Sequence, residues 1–285
     1  MADPTPKSSA PESPVNPPNP SVAGDLRLHE FTSRVFRNSR MLRVWLPQGY
    51  DDPESANTLY PVFYLNDGQN LFDRATSFAG EWEVDETADR LIREGLVPPL
   101  IVVGIDNAQG ERTREYVPYR SLNPPIMRVQ GRQYPDFLMF EVMPFVRKKY
   151  RVALGAENTG LGGSSLGALI ALYTVMARPG VFGRVLLESP SLFLTQRRLL
   201  KETRGRARWP ERIYVGIGTR ESGREDRDRA FVEDVRTLER NLQHAGLDQQ
   251  HLRVVIDEGA THNEVHWARR FPHALRFLFG SDAGK

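Results

Sequence analysis

The chain has 285 residues, 40% hydrophobic and 26% charged, which supplies a core and excludes both a fibrous repeat and a chain disordered throughout. Thirty-eight basic residues against 36 acidic leave a formal charge of +2, which is not the footprint of a nucleic-acid-binding protein. Cysteine is absent, so a disulfide scaffold, a thiolate zinc site, an iron–sulfur cluster and a cysteine nucleophile are all excluded.

Residues 1–24 hold seven of the 21 prolines and no aromatic residue, and they read as a disordered Pro-rich extension ahead of a folded unit at 25–285. No basic start leads into an apolar stretch, so no export signal is visible. As written the chain suits the cytoplasm, whereas a trimmed mature form would be secreted or periplasmic. From Asp25 onward, β-rich runs at 26–33, 41–47, 61–67, 99–106, a short stretch ending at Gly163, 184–190, 212–218 and 252–257 read as strands. Apolar spacings of three and four predict helices at 83–94, 134–149, 166–178, 227–245 and 264–279. Two strands without a helix between them, followed by β and α in alternation, predict one α/β domain on a mostly parallel sheet.

The run 166–177 is apolar but too short to cross a bilayer, so it reads as a buried helix and no membrane association is expected. Two long segments, 107–133 and 191–211, follow strands and are candidate walls or lids of a pocket, because ligands in such sheets bind beyond the strands' carboxyl ends. The second is rich in Arg and Lys between 197 and 212, read chiefly as a solvated helical face.

Gly163-Ser164-Ser165-Leu166-Gly167 fits G-x-S-x-G with Ser165 at the centre. The pattern alone is weak. Its place between a short strand and an uncharged helix is the context that a nucleophile elbow requires. There the helix N-terminus favours negative charge at Ser165, and the Leu166 N–H can donate to an oxyanion.

A serine nucleophile needs a base and a group to orient it, in the chain order Ser, acid, His. His29 comes too early, His244 and His251 flank a surface turn, and His266 and His273 fall inside the last helix. His262, after the strand 252–257 and before that helix, is the candidate base. In His262-Asn-Glu-Val-His266 the Glu occupies neither position that a zinc-protease motif demands, so no metal is expected. For the acid, Glu221 is nearest the end of strand 212–218, with Asp226 and Asp228 as alternatives. The second oxyanion donor is expected from the loop after the third strand, at the Gln69 N–H, with Asn70 as its neighbour.

The sequence resembles the esterase branch of the α/β hydrolases, which includes enterochelin esterases, feruloyl and acetylxylan esterases, S-formylglutathione hydrolases and mycolyltransferases. The shared pieces run from about Arg27 to Phe279: Leu46-Pro47-x-Gly49-Tyr50, the stretch from Tyr60 to Phe72, Glu81-Trp82, Arg114-Glu115-Tyr116, Gly163 to Gly167, Glu188-Ser-Pro-Ser191, Gly218-Thr-Arg-Glu221 and His262-Asn-Glu264 with Trp267. The resemblance implies an α/β-hydrolase fold, a serine esterase without metal or organic cofactor, and a triad of Ser165, Glu221 and His262. Many members carry Asp where this chain has Glu221.

The implied partner is a small-molecule ester. A same-fold acyltransferase and a non-catalytic binding protein are the rival readings, and the oligomeric state is open. Trp82, Arg114, Tyr116 and Trp267 are candidate substrate-binding residues, with Tyr119, Arg120 and Phe193 near the same loops. Nothing in the residues chooses among sugar esters, siderophore lactones and simple carboxylic esters.

Overall fold

Runs of Val, Ile, Leu and aromatic residues build the strands of the protein. The computed structural model describes residues 22–78, 80–122 and 125–280. In chain order the strands are β1 (Asp25–Ser33), β2 (Asn38–Leu46), β3 (Val62–Asn66), β4 (Ile101–Ile105), the two-residue pair β5 (Ser121–Leu122) and β6 (Pro125–Ile126), β7 (Thr159–Ser164), β8 (Arg184–Glu188), β9 (Arg212–Gly218) and β10 (Leu252–Asp257). The helices are α1 (Val84–Arg93), α2 (Arg112–Tyr116), α3 (Tyr134–Phe137), α4 (Met143–Lys149), α5 (Leu166–Ala177), α6 (Leu194–Glu202), α7 (Glu225–His244) and α8 (Glu264–Phe279).

Eight strands form one sheet in the order β1-β2-β4-β3-β7-β8-β9-β10. β1 and β2 pair antiparallel, as do β2 and β4, and every remaining pair is parallel. Side chains along a strand alternate between faces, and this splits the core in two. Val62 and Tyr64 face one layer with Phe137, Val146, Leu169, Leu172 and Leu238. Phe63 and Leu65 face the other, with Val84 and Leu91 of α1 and Phe271, Leu275 and Leu278 of α8. This is the expected α/β-hydrolase architecture in one domain.

The predicted helix 134–149 is interrupted by a π turn at Leu138–Val142. Pro144 explains it, since proline lacks the N–H for the helical ladder and its ring crowds the carbonyl four residues back. The two long loops are less irregular than the sequence suggests: the first carries α2 and the β5–β6 pair, and the second carries α6. Thr195, Gln196 and Arg197 at the start of α6 are left-handed, so its right-handed part begins after them.

The basic stretch is tied down internally. Arg197 pairs with Asp234, Arg198 with Glu202, and Arg206 donates to the Met176 carbonyl. Most of the expected N-terminal extension lies outside the described residues, but Ala23 belongs to the fold: its N–H donates to Asp85 at 2.7 Å and its carbonyl accepts from Trp45 Nε1 at 2.5 Å. Among the described residues no helix is long and apolar enough to cross a membrane.

Candidate active site

Ser165 stands between β7 and α5 with φ 57° and ψ −118°, a conformation that L-residues avoid. Such strain costs about 1–3 kcal/mol and persists only where the surroundings over-determine it. Here they do. The Ser165 N–H donates to the Glu188 carbonyl at 2.9 Å, and its carbonyl accepts from Ser191 at 3.2 Å. The flanking glycines are needed for close approach: a Cβ on Gly163 would lie 2.9 Å from the Gly167 carbonyl carbon, and one on Gly167 would lie 2.9 Å from Asp67 Oδ2. Asn66 Nδ2 closes the elbow by donating to the Gly167 carbonyl at 2.8 Å. α5 is buried on almost every side, so the helix that begins at Leu166 is a rigid support whose first amides have no partner within the helix.

The turn after β9 delivers Glu221, whose side chain is 2% exposed. One carboxylate oxygen accepts the Gly218 N–H at 2.6 Å and the Ser189 hydroxyl at 2.8 Å, while the other meets His262 Nδ1 at 2.5 Å. Burial alone would raise the Glu221 pKa. The hydrogen bond and charge of His262, with the Gly218 and Ser189 donors, outweigh that and hold it below its ordinary value.

The alternative acids serve elsewhere. Asp226 pairs with Arg224 in solvent, and Asp228 accepts from the Ser222 N–H and hydroxyl at the start of α7. His262 also meets the edge of Trp267, with ring centroids 5.2 Å apart. Trp267 Nε1 donates to Ser189 Oγ at 2.9 Å, so one serine ties the tryptophan to the acid. The hydroxyl of Ser165 itself bonds Ser191 Oγ at 3.3 Å, and its partner here is not the imidazole.

Across the elbow lies the Gly68–Asn70 turn. Its left-handed residue is Asp67 (φ 60°), while glycine at 68 is required because a Cβ there would lie 2.6 Å from the Gly104 carbonyl carbon of β4. The Asn70 N–H is committed to the Asp67 carbonyl at 3.0 Å, which favours Gln69 as the free donor of the two. Arg112 grips Asp67 with two bonds of 2.7 Å, and Asn107 Nδ2 adds a third at 2.7 Å.

Arg112 is absent from the sequence-derived site, although a signal existed. Residues 112 and 116 share a face of α2, Tyr116 is wholly buried, and Arg112 lies over its ring at 5.3 Å. Arg114, the arginine chosen from sequence, points the other way and pairs with Glu111 at 2.7 Å. Tyr116 and Trp82 are corrected in the same way. Tyr116 packs edge-on against Tyr134, and Trp82 packs on Trp267 and Phe271, so both are core residues. Trp267 is the one candidate substrate residue in contact with the catalytic candidates. Phe193 stacks on Phe231, and Tyr119 donates to Glu202.

In the sequence Ser189 and Ser191 stand out only as part of the Glu188–Ser191 motif. Beneath them Glu188 is fully buried, its pKa pushed up to about 7 by burial against the pull of Arg270, whose guanidinium holds it at 2.7 and 2.9 Å.

Comparison with known proteins identifies the family. The family model described as "Putative esterase" matches residues 33–278. Among curated proteins the chain is 23% identical over 267 residues to the uncharacterised protein YbbA of Bacillus subtilis, covering 92% of this chain and 98% of that one. It is 28% identical over 280 residues to the iron(III) enterobactin esterase of Dickeya dadantii, covering 92% of this chain but spanning only 57% of that protein's length. Among solved structures, the siderophore hydrolase EstB of Aspergillus nidulans superposes with a TM-score of 0.72 at 19% identity, covering 95% of this chain and 99% of that one, and so shares the fold. The chain therefore belongs to the esterase family of carboxylic ester hydrolases.

Proposed function

We propose that the chain hydrolyses carboxylic esters by two-step acyl transfer through Ser165, His262 and Glu221. The observation that carries this reading is the 2.5 Å contact between His262 Nδ1 and a buried Glu221, beyond the carboxyl ends of the same parallel strands where Ser165 stands on its strained turn. His262 Nε2 takes the hydroxyl proton as Ser165 Oγ attacks the ester carbonyl carbon. The carbonyl electron pair moves onto its oxygen, which the Leu166 and Gln69 N–H groups receive. Collapse breaks the carbon–oxygen bond to the leaving alcohol, which takes the proton from His262, and water repeats the sequence on the acyl-enzyme to release the acid. Glu221 holds the tautomer and stabilises the imidazolium. The Ser165–Ser191 contact is a resting arrangement that a turn about the Ser165 side chain releases, since catalytic hydrogen bonds tighten only when substrate is bound.

Relatives named for enterobactin and for siderophores make catecholate siderophore esters the first substrate class to examine. A fluorophosphonate probe is expected to label Ser165, and Ser165→Ala to lose both labelling and hydrolysis of a short p-nitrophenyl ester by about 10⁴-fold or more. Hydrolysis that survives in Ser165→Ala would sink the proposal. A panel of catecholate lactones, feruloyl esters and acetylated sugars then ranks the substrates by kcat/KM.

A further inference from the structure

At the start of α1, well apart in sequence from the triad, Glu81, Asp85 and Glu86 bring one carboxylate oxygen each to within 4.8 Å of one another. Asp85 is wholly buried. One of its oxygens accepts the Ala23 N–H, while the other, Oδ1, is sealed from solvent and has no partner. Glu81 Oε1 and Glu86 Oε2 are sealed and unpartnered in the same way. Three acceptor oxygens that converge without a donor repel one another, and a low-dielectric setting strengthens the repulsion.

Three arginines close by are engaged with other carboxylates. Arg90 pairs with Glu94, Arg93 with Asp89 and Arg269 with Asp257. These three arginines line a cavity of about 580 Å³ together with Ala23, Glu81, Glu83 and Glu86, which gives an entry path and room for water ligands. We propose that Glu81, Asp85 and Glu86 form a binding site for a hard divalent cation, Ca²⁺ in preference to Mg²⁺. Oxygen ligands suit both ions, but three carboxylates converge here, and Mg²⁺ takes one or two and keeps most of its waters, whereas Ca²⁺ accepts more protein oxygens at about 2.3–2.6 Å.

The bound ion is structural. Asp85 anchors Ala23, and the adjoining Trp82 donates its backbone N–H to the Asn70 carbonyl and packs its ring on Trp267. Filling the site therefore ties the entry to β1, the start of α1 and the wall behind His262 into one unit.

The test uses the full chain stripped with EDTA and titrated separately with CaCl₂, MgCl₂ and TbCl₃, read by calorimetry, by Tb³⁺ luminescence sensitised through Trp82, and by melting temperature. One site is expected, with a melting temperature that rises with Ca²⁺. Asp85→Asn and Glu81→Gln are expected to weaken binding at least tenfold. Glu86→Gln, nearer the rim, is the variant to read if Asp85→Asn does not fold, and the same loss is expected. No heat or luminescence up to millimolar ion, or binding that all three variants retain, would overturn the proposal. So would a wild type that binds nothing while Glu81→Gln and Asp85→Asn raise the melting temperature, since shared protons would then hold the cluster together.

Discussion

On the β8–β10 side of Ser165 a buried carboxylate, Glu221, takes its hydrogen bonds from a backbone amide, a serine hydroxyl and an imidazole. On the β3–β4 side Asp67 takes its bonds from an asparagine amide and a guanidinium. Both carboxylates fix a turn beside Ser165, yet their partners differ in one property. Imidazole gains and loses a proton near neutral pH, whereas guanidinium never does. The first side can move a proton through its hydrogen bonds, and the second can only hold a shape. In the proposed mechanism proton transfer is thereby confined to one wall of the site, and the opposite wall keeps its amides in place whatever the protonation state.

The comparison breaks most visibly at Glu221. Glu221→Gln keeps the shape but favours the wrong imidazole tautomer, so kcat is expected to fall by about 10²–10⁴-fold, while Asp226→Asn stays within about twofold. Steady-state kinetics on one ester decides it, and a loss confined to Asp226→Asn would move the acid.

Arg112→Gln tests the other wall. It leaves the triad intact and loosens the turn that carries Gln69, so kcat should drop about 10- to 100-fold with KM little changed, because the oxyanion contact strengthens only in the transition state. A rise in KM alone would instead place Arg112 on the substrate.

A smaller effect is expected from Trp267→Phe, which keeps a ring against His262 but removes the donor to Ser189. A loss of less than about tenfold in kcat is expected, in line with one neutral hydrogen bond.

The pH dependence sharpens the same contrast. Because the folded Glu221 pKa lies below its ordinary value, its contribution to stability is fully present above that value and is lost as pH falls through the depressed one. Melting curves of wild type and Glu221→Gln should therefore separate at about pH 6 and converge toward about pH 3. A gap that widens in acid would contradict the assignment.

Much of this was legible in the chain because the signals are local. The strands at 61–67, 99–106 and 212–218 are runs of branched and aromatic residues, and the structure places β3, β4 and β9 within them. β7 was the hardest strand to see, since three of its six residues are glycine and propensity speaks against it. Its place is decided by neighbours: a Cβ on Gly160 would lie 2.7 Å from the Phe63 ring. The candidate serine, acid and base are readable from order and position along the chain, whereas Trp82 and Tyr116 are core residues that sequence does not distinguish, because an aromatic near a loop looks the same whether it lines a pocket or fills a core.

By itself, then, the sequence determined the alternation of strands and helices, the elbow at Ser165 and the candidates Glu221 and His262, all features written within a few residues of each other. Only the tertiary structure decided which of three carboxylates meets His262, that Arg112 rather than Arg114 turns inward, that Ser189 joins Trp267 to the acid, and that Glu81, Asp85 and Glu86 converge beside Ala23. These are contacts between residues tens of positions apart, set by how strands stack side by side, and no local pattern of residue types records them.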